Sequence, residues 1–395
     1  MKLLLKWLLS IAIGVFFVWL AAHSWPLEQI FAFELRLEGS YLVAGDVSPE
    51  EIRWYPPSPS DGAAGVNRGV TVADKGPIPN GWVFNLLYLI PYGIILSLIH
   101  VLRVLRWYPL LRPITKVSFW RLNRIGAVGF MCVFLFPLRL GELVRPYLIA
   151  ERGRIRMSEA MGTIVVERVL DGLLTSLMLF IVLRYLPSEH AQSYTELRAG
   201  SYIALSVFVL GTALLTMAYA RRDRTVATIR KILGRLMPGM TERLIGILES
   251  FIRGLSALPS FRNLALFVGT TLLYWGMNGF GLYVFARGFG MHVPLLAAYA
   301  MMASVVVGMM IPNSPANVGS FWFFLLKPLE LFGVGATSLQ ATAAALGIWL
   351  VQLIQLLLFG GYFLLVGTVS FKTVWASTKD SPTDALLPSE STERL

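Results

Sequence analysis

Apolar residues arrive along this chain in long blocks, at 3–22, 82–102, 160–183, 199–220, 263–286, 294–312 and 341–367. About 20 apolar residues in a helix cross the hydrocarbon core of a bilayer. The pattern therefore predicts a polytopic α-helical membrane protein. The polar segments between the blocks alternate in charge. Segment 23–81 carries eight acidic and four basic residues, whereas 103–124 carries Arg103, Arg106, Arg112, Lys116, Arg121 and Arg124 and no acid. Segment 187–198 is slightly acidic, and 221–262 holds nine basic and three acidic residues. Basic loops stay in the cytoplasm, so 23–81 and 187–198 are expected outside and the two basic loops inside. Lys2 and Lys6 ahead of Leu8–Ala22 also fit a signal peptide, but that run is long for a signal core. An uncleaved first span over 1–22 is expected.

Two apolar segments do not fit simple spanning. Ile125–Phe136 runs for about a dozen residues and leads into Pro137-Leu138-Arg139-Leu140-Gly141-Glu142-Leu143-Val144-Arg145-Pro146. Twelve residues rise about 18 Å as a helix, short of a core of about 30 Å. With basic flanks on both sides, this segment is expected to enter from the cytoplasm, turn near Pro137 and return. The second runs through Val305–Pro312, then the polar stretch Asn313–Ser320, then Phe321–Leu326. It is expected to form a hairpin open to the outside, although 294–312 is also long enough to span. The predicted fold is an all-α polytopic membrane protein with six full spans plus two re-entrant helical hairpins. Broken segments at corresponding places in two halves are the pattern of an inverted-repeat transporter. The expected division is a first span at 1–22, an extracytoplasmic segment at 23–81, a transmembrane domain at 82–367 and a polar tail at 368–395.

Two smaller features complete the outline. In 23–81, Leu35–Val43 alternates enough for one strand, and Pro56–Gly62 breaks regular structure, which predicts a loosely ordered cap or a lid. Segment 224–256 reads as two interfacial helices broken at Pro238-Gly239. In the second, Leu244, Ile247, Leu248, Phe251, Ile252 and Leu255 share one face, and Glu249 and Arg253 form an i,i+4 pair on the other.

Composition narrows the function. Apolar residues make up 56% and charged residues 14%, and the net charge is +11. Because the basic residues sit in loops between apolar blocks, anionic lipid headgroups are the expected partners, and nucleic acid is not. Cys132 is the single cysteine, and the four histidines form no metal-binding motif. Neither a metal nor a cofactor is expected.

The informative residues are charges inside apolar segments, each of which costs at least about 2.5–3.5 kcal/mol at mid-membrane. Glu167, Arg168 and Asp171 lie within Met161–Leu183. The carboxylates of Glu167 and Asp171 are i,i+4 and share a face. They repel or share a proton unless a cation sits between them. Arg139 and Arg145 are the expected partners, and Arg139, Glu142 and Arg145 align if their arm is helical. The cluster reads either as an ion-pair network pinning the hairpin or as a polar cavity whose arginines hold an anionic headgroup by bidentate hydrogen bonds. Asn313, Ser314, Asn317 and Ser320 are expected to line the opposite wall. Asn278 and Gln352 are read as interhelical hydrogen-bonding residues.

Phe136–Leu148 and Val165–Gly172 carry P-x-R-x-G-E-x-x-R and E-R-x-x-D in that order, and Pro312–Phe321 is a third Pro/Gly-rich signature. In these, and in Phe332-Gly333-Val334, the chain resembles the lysylphosphatidylglycerol synthase/flippase transmembrane family over about 80–370. It departs at Ala316 and Asn317, where the family commonly has glycine, and at Trp322, where it often has Glu or His. The aminoacyl-transferase domain of some members is not in this sequence. The resemblance therefore implies the stand-alone, flippase-like type: a multi-pass protein of the bacterial cytoplasmic (inner) membrane with both termini cytoplasmic, moving an anionic or glycosylated lipid between leaflets. Two alternatives remain open: a membrane transferase using Glu142 or Asp171 as base on a lipid-linked substrate, and a non-catalytic partner of a cell-envelope biosynthesis enzyme.

Overall fold

The computed structural model describes residues 2–24, 26, 30–31, 33–47, 81–150, 155–185, 191–233, 245–246, 249, 252, 254, 260–309, 314–332, 338–367, 369–371 and 373–375. Pro56–Gly62, Pro238-Gly239, Asn313, Gly333-Val334 and the tail beyond 375 lie outside the described residues, as does most of the second interfacial helix.

The chain is an α-helical integral membrane protein. Helix α1 spans Lys2–Ser24, α2 Leu89–Leu105 and α3 Tyr108–Leu111. Helix α4 spans Phe119–Leu135, α5 Val144–Ala150, α6 Met157–Tyr185, α7 Ala191–Ala220 and α8 Arg222–Leu233. Then follow α9 at Phe261–Gly288, α10 at Leu295–Gly308, α11 at Ser320–Leu326 and α12 at Leu339–Leu365. Among the described residues, three helical stretches are both long and apolar enough to cross a membrane: Leu86–Leu111, Leu197–Leu214 and Leu339–Leu365. Ile90, Ile203, Leu210 and Leu358 are exposed on them, as expected where the solvent is lipid.

The chain falls into two compact units: one of Met1–Ile99, Leu174–Leu205 and Trp275–Gln355, the other of His100–Leu173, Ser206–Tyr274 and Leu356–Leu395.

The first unit contains an antiparallel sheet of β1 (Leu35–Glu38), β2 (Tyr41–Gly45) and β3 (Gly81–Asn85) in that order. The single strand expected at Leu35–Val43 is thus a hairpin. Glu38 pairs Tyr41 across Gly39-Ser40, and Gly39 takes the positive φ (62°) that such a two-residue turn needs. The apolar block expected to span from residue 82 begins as β3, paired with β2, and Trp82 and Phe84 pack tilted against Phe289. The Asn85 side chain accepts from Leu87 N at 3.0 Å, and the helical run starts there. Val43, Val47 and Val83 form the sheet's own core, so this part of 23–81 is packed rather than loose. The same unit holds the second break. After α10, a 3-10 turn at Pro315–Asn317 leads into α11, with Ala316 and Asn317 left-handed (φ 55° and 54°). The chain doubles back, since a Cβ at Gly308 would collide with the Phe324 ring. Helix α1 lies against this turn, Gly14 beside Ser314 and Phe17 beside Phe323 and Phe324.

In the second unit, α4 starts six residues before the apolar run, at a Ser118 cap. Phe136 is extended, the 3-10 turn Pro137–Leu143 follows, and α5 returns along α4. Two glycines permit that return. A Cβ on Gly141 would strike the backbone of Cys132 and Val133, and one on Gly129 would strike the Arg145 stem. Gly360 of α12 meets Ala127 and Met131 in the same way, the small-residue contact typical of helices packed without water. The apolar core runs through Val104, Trp107, Leu122, Val128, Leu148 and Ile164. Of the amphipathic segment, Ile245 and Ile252 are buried, and Gly254 packs against Glu159 and Gly162 of α6. Of the predicted apolar stripe, Ile252 is the one residue among the described residues, and it is buried. Glu249 pairs with Arg222 at 3.3 Å.

Candidate functional site

Glu167 and Asp171 lie one turn apart on α6, and both are buried. The cation between them is Arg106. It donates from Nη1 to Asp171 Oδ1 at 2.6 Å, and from Nη2 to Asp171 Oδ2 at 2.5 Å and Glu167 Oε1 at 2.8 Å. Arg145 approaches Glu167 with both terminal nitrogens, at 3.1 and 3.3 Å. Arg168 donates to Glu167 Oε1 at 2.6 Å and lies 3.8 Å from Asp171. Glu167 is therefore shared by three guanidinium groups. Paired, multiply hydrogen-bonded charges are the form in which ions tolerate an apolar interior.

Aromatic rings frame the arginines. Arg106 lies over Tyr274 at 4.6 Å, and Arg145 over Phe130 at 4.4 Å and Trp107 at 5.1 Å. Trp107 is fixed by donating to Thr163 Oγ1 at 3.0 Å. Rings over guanidinium faces stabilise the cations where no water reaches them.

The expected partnership of Arg139 with the α6 carboxylates is not what forms. Arg139 donates to Glu142 at 3.1 Å. The two stand three residues apart in the Pro137–Leu143 turn and satisfy each other. Arg139 also has φ 60°, a left-handed backbone that a non-glycine residue adopts at a cost. A shared proton between Glu167 and Asp171 is likewise unnecessary, because Arg106 supplies the intervening cation.

Accessibility divides the cluster. The side chains of Arg106, Arg145, Glu167 and Asp171 are 0–1% exposed, whereas Arg168, Arg139 and Glu142 retain 29%, 23% and 21%. The first four form a closed core, and the other three form its open edge. Ser314 and Asn317 belong to the other unit, where Ser314 donates to Val318 O at 2.8 Å. Gln352 donates to the Tyr92 hydroxyl at 3.3 Å, an interhelical bond. Trp322 packs edge-on to Trp349 at 5.6 Å, and Trp349 Nε1 donates to Ala316 O at 2.8 Å.

Arg106 is the central residue that sequence reasoning placed elsewhere, in a cytoplasmic loop. Its signal was available. The apolar run resumes after it as Trp107-Tyr108-Pro109-Leu110-Leu111, and an arginine with apolar residues on both sides belongs to a span.

A family model described as the lysylphosphatidylglycerol synthase TM region matches residues 81–360. Glycosyltransferase AglD of Haloferax volcanii is 27% identical over 214 residues, which are 47% of this chain and 34% of that protein. The chain thus spans about a third of that relative's length. No solved structure matches.

Proposed function

This chain belongs to the lysylphosphatidylglycerol synthase transmembrane family, and from that premise we propose that it translocates an anionic or glycosylated lipid between the leaflets of a bacterial cytoplasmic membrane. The observation that carries the proposal is the division of the charge cluster. Arg106, Arg145, Glu167 and Asp171 form a dry core of paired charges. Arg168, Arg139 and Glu142 form a partly exposed edge upon it. A headgroup needs polar partners while its chains stay in hydrocarbon, and an arginine edge held rigidly by buried ion pairs offers them. We read the α4–α5 break and the α10–α11 break as re-entrant hairpins within a six-span bundle with cytoplasmic termini. Helix α4, at 17 residues, rises about 25 Å and falls short of a core of about 30 Å.

The test is lipid movement in liposomes carrying the purified full-length protein. Arg139→Ala and Arg168→Ala are expected to slow redistribution of a labelled anionic lipid about tenfold or more, as for loss of one charge-assisted pair. Parental rates in both variants would remove the edge from the mechanism.

A second reading follows from the relative named a glycosyltransferase: a transferase acting on a lipid-linked substrate, or a partner of such an enzyme. A changed headgroup after incubation with lipid extract favours it over translocation.

A further inference from the structure

We infer that Arg103, outside all the signature motifs, is the residue that receives the phosphate group of an anionic lipid. The inference rests on the translocation reading and specifies its ligand. Arg103 stands in the last turn of α2, three residues before Arg106, so the two lie on the same side of the helical run. Its guanidinium lies 4.8 Å from the Phe130 ring centre and 5.6 Å from that of Tyr274. These are the rings that carry Arg145 and Arg106. Three guanidinium groups thus share two rings, and Arg103 can be no farther from either neighbour than the two ring distances combined.

Its partners differ from theirs. Arg106, Arg145 and Arg168 each bond to Glu167, and Arg139 bonds to Glu142. Arg103 makes no ion pair with any described carboxylate; its buried Nε, like those of Arg106, Arg145 and Arg168, has no hydrogen-bond partner among the described residues. The residue is only partly buried. Among the described residues of this cluster, Arg103, Arg106, Arg139, Arg145 and Arg168 stand against Glu142, Glu167 and Asp171. Unneutralised like charges at low dielectric repel strongly, and an anion bound between them removes that cost. A guanidinium whose faces rest on rings keeps its N–H edge oriented, and that planar edge matches two oxygens of a phosphate. Lysine in its place offers charge without the fork.

The experiment titrates the full-length protein in detergent with short-chain phosphatidylglycerol, with a phosphate-free diglycosyl diacylglycerol and with oleate, reading bound lipid by native mass spectrometry. Arg103→Gln is expected to weaken phosphatidylglycerol binding about tenfold or more, and Arg103→Lys by less. Binding of the glycolipid and of oleate should not change. Monodisperse elution and parental melting temperature check that the variants fold, and the lysine variant carries the test if the glutamine variant does not. Phosphatidylglycerol bound equally by parent and both variants overturns the inference, as does an equal loss for oleate or the glycolipid. Competition by millimolar inorganic phosphate supports a site that reads the phosphate alone. Failure to compete, with the Arg103 dependence intact, supports a phosphate recognised only on a lipid. The same preparations in liposomes separate the two proposals. Phosphate-dependent binding without movement leaves this site standing and removes translocation. Movement of phosphatidylglycerol that is indifferent to Arg103 does the reverse.

Discussion

Glu167 concentrates the residue-scale physics. It is fully buried and accepts hydrogen bonds from Arg106, Arg145 and Arg168. Removing one partner of a buried ion pair costs about 3–5 kcal/mol, because the other charge stays behind without compensation. Glu167→Ala takes an acceptor from each of three guanidinium groups, Arg106 keeping Asp171, so it is expected to lower the melting temperature in detergent or prevent recovery of folded protein. Arg168→Ala removes a partly exposed member and is expected to leave the melting temperature near parental. Equal destabilisation by the two substitutions would contradict the division into core and edge. The i,i+4 spacing of Glu167 and Asp171 was legible in the sequence, since it follows from helical periodicity alone. The identity of the cation between them was not. Arg106 lies in a run of six basic residues that loop-charge reasoning assigns to the cytoplasm as a block, and that reasoning does not separate an arginine turned inward from its neighbours.

At the scale of elements, the α4–α5 turn shows how much local sequence decides. Pro137, the basic flanks and the shortness of the apolar run were enough to expect a break there. The tightness of the return rests on Gly141, which lies directly against the backbone of Cys132 and Val133. A backbone neighbour cannot move aside as a side chain can. Gly141→Ala is expected to destabilise by about 1–3 kcal/mol, the range for overpacking. A methyl group added at Gly93 in α2 would meet nothing within 4 Å, and Gly93→Ala is expected to change stability by no more than about 1 kcal/mol. Thermal unfolding of both variants, followed by size-exclusion fluorescence, checks the contrast. Equal melting temperatures would mean that the return is looser than the Gly141 contact requires. The i,i+3 spacing of Arg139 and Glu142, which pairs them, was legible in the sequence; the left-handed backbone of Arg139 was not. The sheet was only half legible, since β1 and β2 are local while β3 pairs with β2 across 46–80.

The whole molecule is a membrane protein by its apolar helices and by its family. Its orientation is open to direct measurement. Cys132 is the only cysteine and is buried, so a background lacking it accepts single reporters. Leu37→Cys, at an exposed position on β1, is expected to react with an impermeant maleimide on intact cells. Arg224→Cys, at an exposed position on α8, is expected to react only after permeabilisation. The reverse pattern would invert the topology and the side on which the charge cluster is loaded. The central claim, that this protein moves lipid, is tested most directly by reconstituting the full-length parent in liposomes containing head-labelled phosphatidylglycerol and adding an impermeant quencher. Inner-leaflet label is expected to become accessible in liposomes carrying the parent protein and to stay protected in protein-free ones. Label that stays equally protected in both would contradict that claim.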